Sequence, residues 1–188
     1  MNSYNIRFCE GCDNYKKKYC AGKNLLPQIS FVDFEKLRKE HNKSEDHSCD
    51  LVYDAPEKLG YIENKHIYYF ARFFDSPKEK NLIESSLCGV IRDKIEDSLD
   101  LYESLYPIQH SNRFFILFFS EKVPFPKCEA TEQINIRMAK LYPNALKFFL
   151  INSISAIKNF KGMQYIHSSG KKVKVYIDEC TNAPLHFQ

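Results

Sequence analysis

Tryptophan is absent from this 188-residue chain, and glycine and methionine are scarce, at 6 and 3 residues. The sequence has no glycine-rich loop of the kind that cradles phosphate groups. It also lacks the G-x-S-x-G turn of α/β-hydrolases and the H-E-x-x-H helix of zinc proteases. The common nucleotide-binding, serine-hydrolase and zinc-protease classes therefore have no support.

Long apolar runs are missing as well. The longest, residues 114–119 and 148–151, are far shorter than the roughly 18 residues that cross a bilayer. Residues 1–7 contain no apolar segment typical of a secretory leader. We therefore expect a cytoplasmic protein with no membrane partner, in a compartment that keeps thiols reduced.

Aromatic residues and unevenly placed charges are what the chain has in quantity. Its 15 Phe and 12 Tyr, within a hydrophobic content of 44%, are enough for a packed core. The formal net charge is only +3, but both ends of the chain are basic and the middle is acidic. Basic ends are compatible with an anionic partner such as nucleic acid, although solvated faces of like charge give the same pattern.

Hydrophobic patterning predicts an α+β fold with a mixed sheet packed against helices. Residues 66–74 and 113–119 are apolar on both alternations, which is typical of central strands buried on both faces. The chain length indicates a small Cys-rich metal-binding module over residues 1–50 and an α+β domain over residues 51–188. Further patterns predict helices over 30–41, 76–105, 131–141 and 144–160, and a hairpin over 163–177.

Three of the seven cysteines stand close together near the start of the chain. Cys9 and Cys12 form a C-x2-C pair, and Gly11 between them permits the tight turn that brings two thiolates to one metal ion. Cys20 follows within the same segment. In a reducing compartment such a group is more typical of a metal site than of disulfides.

A structural zinc site needs a fourth ligand, and Cys49 is the best candidate, with His47 or His41 as substitutes. Zinc bound there would fold a segment that is too polar to bury a core of its own. Four thiolates also suit an iron-sulfur cluster, and spacing does not choose between the two. Unrelated thiols on a Tyr-rich turn, or a catalytic thiol, are the remaining alternatives.

The segment "CEGCDNYKKKYC" resembles the amino-terminal motif of a family of predicted metal-binding proteins of unknown function in bacteria and archaea. In that family a Cys, a Gly-Cys step and Asn-Tyr-Gly-Lys lead to Cys-Pro-Pro. The chain differs in having Lys16 in place of the glycine, and Ala21 and Gly22 in place of the prolines. The resemblance implies metal binding and no particular reaction. The matching positions are Cys9, Gly11, Cys12, Asn14, Tyr15, Lys17 and Cys20.

Lysines interleave with tyrosines inside the cysteine cluster and recur in the last third of the chain. Cations and ring faces in alternation are suited to a nucleic-acid backbone and its bases. The same lysines could form the solvated rim of a small module. The predicted nucleic-acid-binding residues are Lys16, Lys17, Lys18, Lys158 and Lys161.

Glu63-Asn64-Lys65 is an E-x-K group, with Asp54 nine residues earlier. Metal-dependent nucleases use such a group because two carboxylates hold Mg²⁺ while a lysine positions the attacking water or stabilises the developing charge. Glu63 and Asn64 also fit a hairpin turn, which would place them outside a strand and weaken this hypothesis.

Acidic residues line the long predicted helix at spacings of three and four. No histidine stands among them, so a solvated acidic face is favoured over a metal site. These residues are Asp93, Glu96, Asp97, Asp100 and Glu103.

Taken together, the patterns favour a zinc-stabilised binding protein that contacts nucleic acid or a protein partner in a larger assembly. The alternative is a metal-dependent enzyme, which would be either a Mg²⁺-dependent nuclease built on the E-x-K group or an iron-sulfur protein built on the cysteines.

Overall fold

A computed structural model of the chain describes residues 4–6, 8, 26, 28–43, 47–66, 80–106, 112–120, 160–161 and 163–187. Within these ranges eight strands form one mixed sheet in the order β1-β2-β3-β4-β5-β8-β7-β6. Two α-helices, α1 (Phe34–Glu40) and α2 (Lys80–Leu105), contribute to its core. The strands are β1 (Asn5–Ile6), β2 (Phe31–Asp33), β3 (Leu51–Ala55), β4 (Lys58–His66), β5 (Asn112–Ser120), β6 (Phe160–Lys161), β7 (Gln164–Ile166) and β8 (Lys172–Glu179).

The middle of the sheet is parallel and its flanks are antiparallel. β4, β5 and β8 run in one direction, whereas β3 pairs with β4, and β7 with β8, in antiparallel hairpins. α2 lies between β4 and β5 in the chain, as expected where neighbouring parallel strands need a crossover. The predicted α+β fold with a mixed sheet is therefore confirmed, and the strand predicted over 113–119 is the central strand β5.

The strand predicted over residues 66–74 is tested only at His66, the last residue of β4. β4 covers Lys58–His66, and only His66 belongs to both ranges; residues 67–74 lie outside the described part of the chain. The β3–β4 hairpin turns at Pro56 and Glu57, because Ala55 pairs with Lys58 across the ladder. The turn therefore comes well before the E-x-K group, which lies inside the strand.

The helix predicted over 30–41 begins later than expected. Residues 31–33 form β2, whose buried side chains Phe31 and Val32 face opposite sides of the sheet. Asp33 is the N-cap of α1, and its carboxylate accepts a hydrogen bond from the Lys36 N–H at 2.9 Å. Because β2 leads directly into α1, the apolar residues of both elements were read as one helical pattern.

The other predicted elements have mixed outcomes. α2 confirms the long helix over residues 80–105. β7 and β8 confirm the closing hairpin, and Gly170 adopts a φ of 81° at its turn, a conformation that favours glycine. The helices predicted over 131–141 and 144–160 lie outside the described residues, except that Phe160 belongs to β6.

Both faces of the sheet are buried. Toward α2, the alternate residues of the central strands meet Ile91, Ile95 and Leu99 of the helix. On the second face a cluster rich in phenylalanine forms around Phe118 and Phe187. Neither of the described helices is both long and apolar enough to cross a membrane.

Strand pairing also bears on the segment predicted as a separate module. β1 and β2 lie within residues 1–50, and β2 pairs with β3 in the same sheet as the rest of the fold. Cys9, Cys12 and Cys20 lie outside the described residues. The Cys-rich module and the boundary at residue 50 stay predictions.

Gly60 allows close packing on the second face of the sheet. A Cβ atom at this position would lie 2.3 Å from Cζ of Phe114, whose ring covers the glycine. We expect Gly60→Ala to lower the free energy of unfolding by about 1–3 kcal/mol in urea titrations, because the ring has to move. In a Phe114→Leu background the cost should be smaller. Equal costs in both backgrounds would show that the ring is not the cause.

Candidate functional site

The E-x-K group lies near the carboxyl end of β4, on the face of the sheet that packs against α2. Glu63 and Lys65 follow Leu59 and Tyr61 on this face, since alternate residues of a strand point the same way. In sheets with parallel strands, ligands bind preferentially beyond the carboxyl ends of those strands. The group therefore occupies a favourable position in the fold.

Glu63 is a buried carboxylate held between two lysines. Only 1% of the residue is exposed. Its Oε1 lies 2.5 Å from Nζ of Lys65, and its Oε2 lies 2.9 Å from Nζ of Lys94 on α2. Neither oxygen receives a well-directed hydrogen bond from the described residues. A carboxylate that has lost its water in this way depends on nearby cations to remain ionised.

Asp50 supplies a second carboxylate beside Glu63. Leu51 pairs with Ile62 across the β3–β4 ladder, so the next residues along the ladder are Asp50 and Glu63. The Asp50 N–H donates to the Ile62 carbonyl at 2.9 Å, and Oδ2 of Asp50 accepts from the Asn64 N–H at 2.7 Å. Burial, and next to it the charge of Glu63, raise the pKa of Asp50 to about 8.

The segment before β3 is tied to α2, which fixes the position of Asp50. The His47 N–H donates to Asp97 at 2.8 Å, and the Cys49 N–H donates to the Ser98 hydroxyl at 2.9 Å. The Lys94 ammonium also donates to the carbonyl of Ser48. Lys94 therefore joins this segment to Glu63, and only 14% of its side chain is exposed.

Asp54, the acid predicted to partner the E-x-K group, lies elsewhere. It pairs with Leu59 near the turn of the hairpin, and its carboxylate accepts a hydrogen bond from the Tyr102 hydroxyl at 3.0 Å. Asp54 therefore does not lie beside Glu63, whereas Asp50 does. The turn at residues 56–57 was the missed signal, because it sets which acid of β3 faces Glu63.

Comparison of the chain with family models, with curated proteins and with solved structures gives no match. What the site can do chemically follows from its own side chains. Two carboxylates from adjacent strands offer the hard oxygen ligands that Mg²⁺ and Mn²⁺ prefer. A cation bound by Asp50 and Glu63 would favour the ionised form of Asp50, and it would take over charge compensation of Glu63 that the lysines now provide. The donor set therefore fits a hard divalent cation.

The predicted cysteine site is described only at Cys49. Its thiol is 1% exposed within the core beneath α2, and it donates a hydrogen bond to the Leu51 carbonyl at 3.2 Å. Burial raises the pKa of this thiol to about 12. His41 and His47, the substitute ligands, are both exposed. Because the other three cysteines lie outside the described residues, the four-cysteine site stays a prediction.

One of the predicted nucleic-acid-binding lysines is described. Lys161 is exposed on β6, at the edge of the sheet. The other four, Lys16, Lys17, Lys18 and Lys158, lie outside the described residues. The nucleic-acid interface over these residues therefore stays a prediction.

A second group of potential metal ligands joins α2 to the β7–β8 hairpin. Nε2 of His167 lies 2.9 Å from Glu96 and 3.4 Å from Asp100. The Ser169 N–H donates to Nδ1 of His167 at 3.0 Å, so the ring proton is on Nε2. A metal ion at Nε2 would require the other tautomer. This geometry favours an N–H facing two carboxylates over a metal site.

Hydrogen bonds from the hairpin converge on Glu96. The Tyr165 hydroxyl donates to it, as do the N–H and the hydroxyl of Ser168, at 3.0 and 2.7 Å. Partial burial acts to raise the pKa of Glu96, but these hydrogen bonds outweigh it and the pKa is lowered. The acidic face of α2 was predicted to be solvated, but one of its residues, Glu96, accepts hydrogen bonds from the β7–β8 hairpin.

The raised pKa of Asp50 predicts how stability depends on pH in the metal-free protein. Unfolded aspartate has a pKa of about 3.9, so the folded chain holds this proton more tightly, and the stabilisation is lost as pH rises through about 8. Asp50→Asn should remove this loss. Between about pH 5 and pH 9 we expect the variant to gain about 4 kcal/mol relative to wild type in urea titrations with chelator. A constant difference over this range would contradict the prediction.

Proposed function

We propose that the chain is a divalent-cation-dependent phosphodiesterase that hydrolyses nucleic acid, with its reactive centre at Asp50, Glu63 and Lys65. The observation that carries the proposal is the buried Glu63 carboxylate, which lies beside Asp50 and contacts Lys65 at 2.5 Å. Two acids and a lysine at the carboxyl end of a parallel strand are the groups that such hydrolysis requires.

Asp50 and Glu63 are the residues that would hold the cation. A bound Mg²⁺ or Mn²⁺ supplies Lewis-acid polarisation of a phosphoryl oxygen and a water of lowered pKa. Asn64 assists from the backbone, because its N–H fixes Oδ2 of Asp50 at 2.7 Å. The carboxylate of Asp50 is therefore oriented before any ligand arrives.

Lys65 is the group placed to act on the phosphate. Its side chain is 29% exposed, twice as open as that of Lys94. As water attacks phosphorus, a new P–O bond forms and the bond to the leaving oxygen breaks. The attacking water gives up one proton and the leaving oxygen gains one. The Lys65 ammonium offers hydrogen bonds to the phosphoryl oxygens as their negative charge grows.

Lys94 has a different role in this scheme. Its ammonium group contacts Glu63 and donates to the Ser48 carbonyl, so two partners hold it. Such a lysine positions the buried carboxylate and compensates its charge when no cation is bound. It is a positioning residue.

Nucleic acid as substrate is supported by charge. Exposed lysines occur on β6 and β8, and the sequence predicts a further basic cluster at residues 16–18. A polyanion is attracted to basic surfaces of this kind. The predicted zinc module would add binding energy without taking part in the hydrolysis.

The test is a cleavage assay on three substrates. Purified protein, stripped of metal, is incubated with single-stranded DNA, duplex DNA and RNA in Mg²⁺, Mn²⁺ or EDTA. We expect cleavage of at least one substrate with Mg²⁺ or Mn²⁺ and none with EDTA. Absence of cleavage on all three, or cleavage that persists in EDTA, would reject the proposal.

A further inference from the structure

A pocket of about 290 Å³ opens on the second face of the sheet, the face turned away from Glu63. It lies at the amino ends of β4 and β5, beside β8 and the 3₁₀ helix Cys180–Leu185. The proposed reactive centre lies near the carboxyl end of β4 on the other face. The two places are therefore separate. The residues that line the pocket include Lys58, Phe114, Lys174, Tyr176, Leu185 and His186.

Two cationic side chains line the pocket. They belong to Lys58 and Lys174, and among the described residues no carboxylate lines it. Lys174 is exposed on β8. A concave site with two ammonium groups and no acid in its wall favours an anionic ligand, since field lines concentrate in a cleft of one sign.

The pocket also presents ring surface to solvent. Tyr176 and Leu185 are the only large hydrophobic side chains exposed among the described residues, at 38% and 70%, and both border this pocket. The Tyr176 ring meets Phe114 at 6.3 Å and His186 at 5.4 Å between centroids, so neighbouring rings hold it in place. An exposed ring supported in this way offers a face for stacking a planar group.

His186 adds a directed polar group. Its Nε2 lies 2.9 Å from Oδ2 of Asp178, a residue that is 8% exposed and whose Oδ1 accepts from the Asn182 amide at 2.9 Å. A carboxylate only accepts hydrogen bonds, so Nε2 donates to Asp178, and this contact orients the ring in the pocket wall.

From these observations we propose that the pocket binds a nucleotide, with its base stacked on Tyr176 and its phosphate near Lys58 and Lys174. The volume is at the small end of the range for ligand pockets, about 300–1,000 Å³, which suits a single nucleotide unit. That unit can be a free nucleotide or the terminal nucleotide of a single strand. The proposal does not depend on the proposed hydrolysis, because it uses other residues on the other face.

Calorimetric titration in EDTA tests the proposal with two probes, adenosine monophosphate and a 5′-phosphorylated thymidine trinucleotide. EDTA separates the test from any cation-dependent cleavage. We expect saturable binding of at least one probe. Lys174→Glu and Tyr176→Ala should each weaken it by about tenfold or more, because one charge contact or one stacking face is lost. Binding of the mononucleotide points to a free ligand, and binding of the trinucleotide alone points to a strand.

Lys172→Glu is the matched control. Lys172 is exposed on the same strand and the same face as Lys174, but it does not line the pocket. It should leave binding within about twofold of wild type. Three results would overturn the proposal: no saturable binding of either probe, equal weakening by Lys172→Glu and Lys174→Glu, or binding that survives both Lys174→Glu and Tyr176→Ala.

Discussion

Glu63→Gln is expected to lower cation-dependent cleavage on the order of 100-fold or more. Glutamine keeps the volume of the side chain but removes the negative charge that a cation and two lysines share. Glu63 is 1% exposed, and its oxygens lie 2.5 and 2.9 Å from Lys65 and Lys94. The variant should also lose about 2–4 kcal/mol of stability, because the interior lysine is left without its carboxylate.

Two comparisons make this result decisive. Glu57→Gln removes the same charge from an exposed position in the β3–β4 turn and should leave cleavage unchanged. Asp50→Asn should also abolish cleavage, yet it removes an acid whose raised pKa opposes folding at neutral pH, so it will not unfold the chain. Full activity in a folded Glu63→Gln or Asp50→Asn protein would refute the assignment.

Lys65→Met should lower kcat much more than it lowers stability. We expect a fall in kcat of about 100-fold with little change in KM, because the lost ammonium acts on charge that develops during reaction. Its effect on stability should be smaller than that of Lys94→Met, since the Lys65 side chain is 29% exposed and Lys94 still compensates the buried Glu63 charge.

Lys94→Met provides the contrasting variant. Lys94 is 14% exposed and is anchored to Ser48 as well as to Glu63, so its loss should cost about 2–4 kcal/mol of stability. Urea titrations and steady-state kinetics on both variants give the comparison. If Lys65→Met leaves kcat intact, or if both variants differ from wild type only in stability, Lys65 has no part in the reaction.

The sequence predicted the fold best where the hydrophobic pattern of a segment matched its position in the sheet. β5 is apolar on both alternations and is the central strand, paired on both sides. The β7–β8 hairpin alternates cleanly and turns at Gly170. In both elements the local hydrophobic period and the position in the sheet call for the same residues.

The carboxyl half of β4 was predicted less well from the sequence. Its carboxyl half carries Glu63, Asn64 and Lys65, whose polarity is typical of a turn, although the strand continues through them. The buried charge of Glu63 is tolerated because α2 supplies Lys94, a partner that is distant in the chain. Asp50 was missed for a related reason, since its role depends on the ladder register and not on spacing within the chain.

The buried position of Cys49 also bears on the predicted zinc site. Burial raises the pKa of its thiol to about 12, so it is neutral where it lies. Zinc binds the thiolate, and metal binding would have to drive release of that proton. Elemental analysis of the purified protein tests the predicted cysteine site: zinc, iron or neither would be found, and loss of the metal in Cys12→Ser would place it at the cysteines.

The most direct measurement is calorimetric titration of Mn²⁺ into metal-free protein, with Glu63→Gln and Asp100→Asn titrated alongside. We expect a single Mn²⁺ site in wild type that is lost in Glu63→Gln and kept in Asp100→Asn, because Asp100 belongs to the separate group around His167. Mn²⁺ binding that is unchanged in Glu63→Gln, or absent from wild type, would contradict this expectation.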